Sequence, residues 1–163
     1  MKYRQIDRIL SLDPGRQIVA ERTLRAEEEF LLDHFPRFPV MPGVMMLESL
    51  HQAAVWMIRA GDEFCHPLVL LREARGVKFG EFLSPGETLR ITATVAKRED
   101  PFVTVKATAE KNGRVTVTAR LRFELCGSGD PEDIGTDQAI RKDVQLQFQE
   151  LFGEPLQTIS PSQ

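Results

Sequence analysis

The stretch 43–60 is the part of this chain that any fold must accommodate first. Val44, Met45, Met46, Leu47, Leu50, Ala53, Ala54, Val55, Trp56, Met57 and Ile58 fall on every side of a helical wheel rather than along one stripe. A helix apolar all round has to be enclosed by other elements. Pro42 and Gly43 open it, because a proline's fixed φ and missing N–H suit a first turn, and Gly61 ends it, with Arg59 placed where the helix dipole favours a cation.

After the helix the apolar period changes to that of strands. Segments 68–79, 88–97, 102–111 and 114–125 are strand candidates; the last alternates Val115, Val117, Ala119, Leu121, Phe123 and Leu125 against polar neighbours. Ser84-Pro85-Gly86, Glu99-Asp100-Pro101 and Asn112-Gly113 mark the turns, and Asn-Gly between alternating runs is a strong hairpin signal. Another strand is expected over 16–24, after the turn at Asp13-Pro14-Gly15. One wholly apolar helix and several antiparallel strands are satisfied together if the sheet curls around the helix, giving an α+β roll. The stretch 127–133 is polar and unpatterned. Beyond it, 136–152 reads as an amphipathic helix with Ile140, Val144, Phe148, Leu151 and Phe152 on one stripe, Thr136 as N-cap and Gly153 as stop; it needs a surface to cover, and 159–163 reads as frayed. The domain reading is a compact unit over 1–126 and a linker with a helical extension over 127–163.

Composition removes several function classes. A net charge of −3 gives no general attraction for nucleic acid, and no apolar run has the length needed to cross a bilayer. Charges occupy the first eight residues where a secretory leader would be apolar, so the expected compartment is the cytoplasm. Cys65 and Cys126 are too few for a disulfide framework and lack the spacing of a metal site.

Chemistry concentrates in 34–52. Pro36, Pro39 and Pro42, at every third position, stiffen a loop that carries His34 and Phe35 and runs into the helix start. Glu48 then interrupts the apolar helix, and Gln52, one turn on, shares its face and is placed to hold the carboxylate by a hydrogen bond. Taken singly, Glu48 reads as a notch at the surface or a structural ion pair, and His34 as a loop histidine. Taken together, an imidazole and a carboxyl on rigid supports, with the open amides of a helix start between them, suit proton transfer beside a developing oxyanion. His51 and His66 lack the proline setting and are not chosen as bases; His51 reads equally as lining a cavity or packing at a subunit contact.

The set His34, Phe35, Pro36, Pro39, Met41, Pro42, Gly43, Val44, Glu48 and Gln52 resembles the signature of the 3-hydroxyacyl-acyl-carrier-protein dehydratases of type II fatty acid synthesis, enzymes of the hotdog fold, and looser similarity extends over 3–125. That resemblance implies conversion of a 3-hydroxyacyl thioester to the trans-2-enoyl thioester with neither metal nor organic cofactor. His34 would be the base and Glu48 the acid. The amides of Gly43 and Val44 would hold the thioester oxygen, with Pro42, Phe35 and Gln52 in support. It also implies a homodimer or larger homo-oligomer, with His34 and Glu48 of one site on opposite subunits, and an acyl carrier protein as partner. Glu48 would need its pKa raised by the apolar helix to carry a proton. Arg72, Arg75 and Lys78 form a basic stretch that an acidic carrier could meet. Asp33, Arg37 and His51 depart from the family pattern and bear on substrate range. The alternatives are a hotdog acyl thioesterase and a non-catalytic acyl-thioester binding protein, since one fold serves many functions.

Overall fold

Alternation along the later strands produces the expected sheet. The computed structural model describes residues 3–66, 68–127 and 134–152. Among them the elements run β1 (Arg8–Asp13), β2 (Gln17–Thr23), α1 (Phe30–Asp33), α2 (Gly43–Gly61), β3 (Leu68–Phe79), β4 (Thr88–Glu99), β5 (Phe102–Lys111), β6 (Arg114–Cys126) and α3 (Ile134–Phe152). The strands form one antiparallel sheet in the order β1-β2-β4-β5-β6-β3. It wraps α2, which packs against every strand and buries Met46, Leu50, Ala53, Ala54, Met57 and Ile58. This is the hotdog architecture. No helix among the described residues is long and apolar enough to cross a membrane.

Close backbone approach fixes the C-terminal end of α2. A Cβ on Gly61 would lie 2.4 Å from the Cα of Gly15, so two glycines meet where the β1–β2 turn crosses the helix. Gly15 there takes φ +73 and donates its N–H to Met57 O at 3.2 Å. In the β5–β6 hairpin, Asn112 and Gly113 both have positive φ, in keeping with the Asn-Gly pair.

Two details of the strands differ from expectation. β1 lies outside the strands expected from sequence, because a register irregularity between Ile9 and Ser11 breaks its alternation. In β6 the alternation fails at Val115, which is exposed, while Thr116 is buried and donates its hydroxyl to Ala109 O at 3.1 Å. The cause is a bulge: Ala109 pairs Val117 but Glu110 pairs Val115, so one residue of β6 is left over and the side chains switch faces.

The stripe of α3 covers α2 and β1. Val144, Phe148 and Leu151 enter the same core as α2, and the Phe148 ring sits 5.8 Å from Trp56, 5.3 Å from Phe64 and 5.7 Å from Phe152. Arg141 donates to Glu63 O at 3.0 Å, and Glu150 pairs with Arg4 at 2.9 Å. α3 is already helical at Ile134, so Thr136 lies within the helix and is not its N-cap, while the expected Gly153 stop and the frayed 159–163 lie outside what is described.

Candidate active site

His34 is the C-cap of α1, with its N–H donating to Phe30 O at 3.2 Å. Its ring is half-buried and lies 4.4 Å from that of Phe35, an exposed residue whose φ of 48 turns the chain sharply into the proline loop. The loop is then tied down twice: Phe38 N–H donates to Phe35 O at 2.8 Å, and Met41 N–H donates to Leu83 O at 2.8 Å. Phe38 also meets Phe82 edge-on at 5.9 Å, so the loop rests on the β3–β4 connection.

Pro42 is the N-cap of α2. Its carbonyl accepts from Met45 and Met46, whereas among the described residues the amides of Gly43 and Val44 have no acceptor. They are the open donors expected at the positive end of the helix. Phe79, at the end of β3, covers this turn so closely that a Cβ on Gly43 would lie 2.9 Å from its Cε1 atom.

Glu48 lies farther along α2. Its Oε1 accepts from Gln52 Nε2 at 2.9 Å and faces His51 Nδ1 at 3.3 Å. The Gln52 amide cannot turn over, because its oxygen accepts from Gln5 N–H at 2.7 Å and its nitrogen also donates to Tyr3 O at 2.9 Å. Gln5 in turn takes two bonds from Arg22, at 3.2 and 3.1 Å, and the buried Arg22 guanidinium is gripped by both oxygens of Glu28. The carboxylate is therefore aimed from the N-terminal segment as well as from its own helix.

Within the single chain the Glu48 pKa runs opposite to the expected direction. The His51 hydrogen bond is the strongest influence on Glu48; with Gln52 and the His51 charge it outweighs partial burial, and the carboxyl is held below the ordinary carboxylate range rather than raised above it. His51, not chosen as a base for want of a proline setting, meets Glu48, and its spacing of three from that residue on one helix was the signal that they do. Arg22 and Gln5 are also absent from the residues expected here. Their signal was an arginine in an inward register, following Ile18 and Ala20 on the buried face of β2. His34 and Glu48 make no hydrogen bond with each other within one chain, among the described residues. His66 lies elsewhere, 3.2 Å from Asp62 past the end of α2.

A 620 Å³ cavity lies beside this assembly, lined by Tyr3, Gln5, Arg22, Glu28, Phe30 and Met45 among others. It runs along the network that holds Gln52.

Comparison with known proteins gives the family. The FabA-like domain model matches residues 1–120. The chain is 34% identical over 125 residues to a 3-hydroxyacyl-[acyl-carrier-protein] dehydratase FabZ of Levilactobacillus brevis, covering 77% of this chain and 84% of that protein. It is 35% identical over 118 residues to the protein of the same name in Lactobacillus helveticus, covering 72% and 80%. Among solved structures, the dehydratase heterocomplex ApeI:P of Xenorhabdus doucetiae superposes with a TM-score of 0.65 at 18% identity, over 78% of this chain and 86% of that one. Zebra fish thioesterase superfamily member 2 superposes with a TM-score of 0.59, also at 18% identity, over 72% and 80%. The fold is thus shared by dehydratases and thioesterases, whereas the sequence match singles out one group: the chain belongs to the FabA-like family.

Proposed function

We propose that this protein dehydrates a 3-hydroxyacyl thioester to the trans-2-enoyl thioester in the cytoplasm, as part of fatty acid synthesis. His34 removes the proton at C2, the amides of Gly43 and Val44 stabilise the enolate-like oxygen that forms, and Glu48 protonates the departing hydroxyl. The observation that carries this is the carboxylate of Glu48, which Gln52 fixes in a helix whose first amides are open.

The working unit is a homodimer or a larger assembly, with His34 and Glu48 of each site on opposite subunits. In support, β3 is an edge strand of 12 residues paired on one side alone, and Val44, Leu71, Phe79 and Phe82 leave apolar surface open near it.

The substrate is carried by an acyl carrier protein on its phosphopantetheine arm, and the docking face is basic. Of the stretch named from sequence, Arg72 is engaged by Glu124 and Arg75 by Glu73. The register instead puts Arg75, Arg120 and Lys106 in one line across β3, β6 and β5, like charges opposite one another, around a concavity of about 260 Å³ that Lys78 also lines. An acidic partner would relieve that repulsion. Phe79, over the helix start, comes directly after Lys78.

The test is incubation of purified protein with a 3-hydroxybutyryl thioester while enoyl absorbance and free thiol are monitored together. Enoyl product without thiol is expected; thiol release would make the protein a thioesterase, and binding with neither product would make it a non-catalytic acyl-thioester binder.

A further inference from the structure

We propose that His51 is the proton store of Glu48: the two side chains together, and not the carboxyl alone, supply the proton that turns the departing hydroxyl into water. This rests on the assignment of Glu48 as the acid. An ionised carboxylate has no proton to give, and the neighbours of Glu48 favour the ionised form. Imidazole is the side chain that changes charge near neutrality, and Nδ1 of this one faces the carboxylate at 3.3 Å.

The geometry separates delivery from supply. Both Gln52 and His51 approach Oε1, while Oε2 takes no hydrogen bond from the described residues and is free to meet a substrate hydroxyl. The His51 ring is held in place by stacking on Phe123, with centroids 5.8 Å apart and planes 16° from parallel. No other charge among the described residues competes for it. The register neighbours of Phe123 are Leu71 on β3 and Val103 on β5, both apolar. Arg122 and Glu124, on either side of Phe123, lie on the opposite face of the sheet, where Arg122 covers the Phe102 ring and Glu124 binds Arg72. From the N-terminal segment, Tyr3 and Gln5 present backbone groups to Gln52. In the dimer proposed above, His34 of the partner subunit shares this site.

Atoms and electrons balance in this step. His34 takes the C2 proton, the electron pair of that bond becomes the C2–C3 double bond, and the C3–O bond breaks. Nδ1 of His51 passes its proton to the Glu48 carboxylate, and the carboxyl so formed gives it to the leaving oxygen, so that Glu48 ends ionised and His51 neutral. Exchange with solvent then removes the proton from His34 and returns one to His51. His51 acts through Glu48, so it is a positioning and proton-storing residue rather than one that touches substrate.

The experiment compares wild type, His51→Gln, His51→Ala and Glu48→Ala in kcat/KM for a 3-hydroxybutyryl thioester from about pH 5.5 to about pH 9. Glutamine keeps a hydrogen-bond donor for the carboxylate but has no proton to lose. The alkaline limb is expected to begin more than about one pH unit lower in both His51 variants, a deficit of about tenfold or more along that limb. Glutamine restoring the wild-type limb, or alanine leaving it unmoved, overturns the proposal. Full turnover by Glu48→Ala would instead overturn the assignment of the acid. A readout without turnover keeps the pairing open to refutation: in carbon-13 NMR the Glu48 carboxyl should titrate higher in His51→Ala than in wild type, and an unchanged titration overturns it.

Discussion

Gly43→Ala separates the chemistry of the helix start from its stability. An added Cβ would meet the Phe79 ring at 2.9, 3.1 and 3.2 Å. Carbon atoms rest at about 3.5–4.0 Å, so the ring or the first turn must shift by roughly 0.5–1 Å. Phe79 is 53% exposed and can give way. Alanine is also favoured over glycine in a helix by about 1 kcal/mol, which offsets the strain. The unfolding free energy should therefore change by less than about 1 kcal/mol. Turnover should respond differently wherever the turn shifts with the ring, because that displaces the amides that hold the thioester oxygen, and loss of one such donor lowers kcat by about 10²–10³. Urea unfolding and steady-state kinetics on a 3-hydroxybutyryl thioester measure the two effects side by side, and Phe79→Ala added to Gly43→Ala should recover part of the loss by making room. A Gly43→Ala enzyme turning over within about threefold of wild type, with its first turn displaced in a crystal structure, would refute the role given to these amides.

Three further outcomes are expected. Phe148→Ala empties the aromatic cluster under α3 and should reduce stability by about 3–5 kcal/mol in urea unfolding, with a loss under about 1 kcal/mol contradicting the docking of α3. Burial works to raise the Glu28 carboxyl, but the Arg22 hydrogen bond, the Arg25 amide and both cations outweigh it and hold it low. A depressed carboxyl stabilises the fold above the ordinary carboxylate range, so the urea midpoint should fall as pH drops through that range, less steeply in Glu28→Gln; equal slopes would dismiss the Arg22 grip as a source of stability. Lys106→Glu with Arg120→Glu should raise KM for carrier-borne substrate about tenfold or more while leaving the small thioester unaffected, and parallel changes on both substrates would dismiss the basic face as the docking site.

Much of the architecture was legible because period and enclosure leave few options. A helix with Trp56, Met57 and Ile58 beside Ala53 and Ala54 has no solvent-facing side, and long alternating strands after it supply the enclosure. Asn112-Gly113 named its own turn. β1 escaped because its bulge removes alternation, and Val115 takes the face opposite to the one its alternation suggests because a bulge is a property of two paired strands, which one strand's sequence does not display. At the site, Gln52 was legible from its spacing to Glu48. The lowered Glu48 carboxyl was not, because apolar neighbours in sequence suggest burial, whereas the actual balance depends on His51 turning toward the carboxylate and on Tyr3 and Gln5 arriving from a segment over forty residues away. His51 could have been found by helical spacing alone.

His34 of one subunit is proposed to work with Glu48 of the other, and mixing two inactive proteins tests this most directly. His34→Ala and Glu48→Ala should each be folded and inactive alone. After subunit exchange, half the dimers carry one of each, and every such dimer has one site with both groups intact and one with neither, so about a quarter of wild-type turnover should return. Mixtures as inactive as their components, despite proven exchange of subunits, would contradict the account.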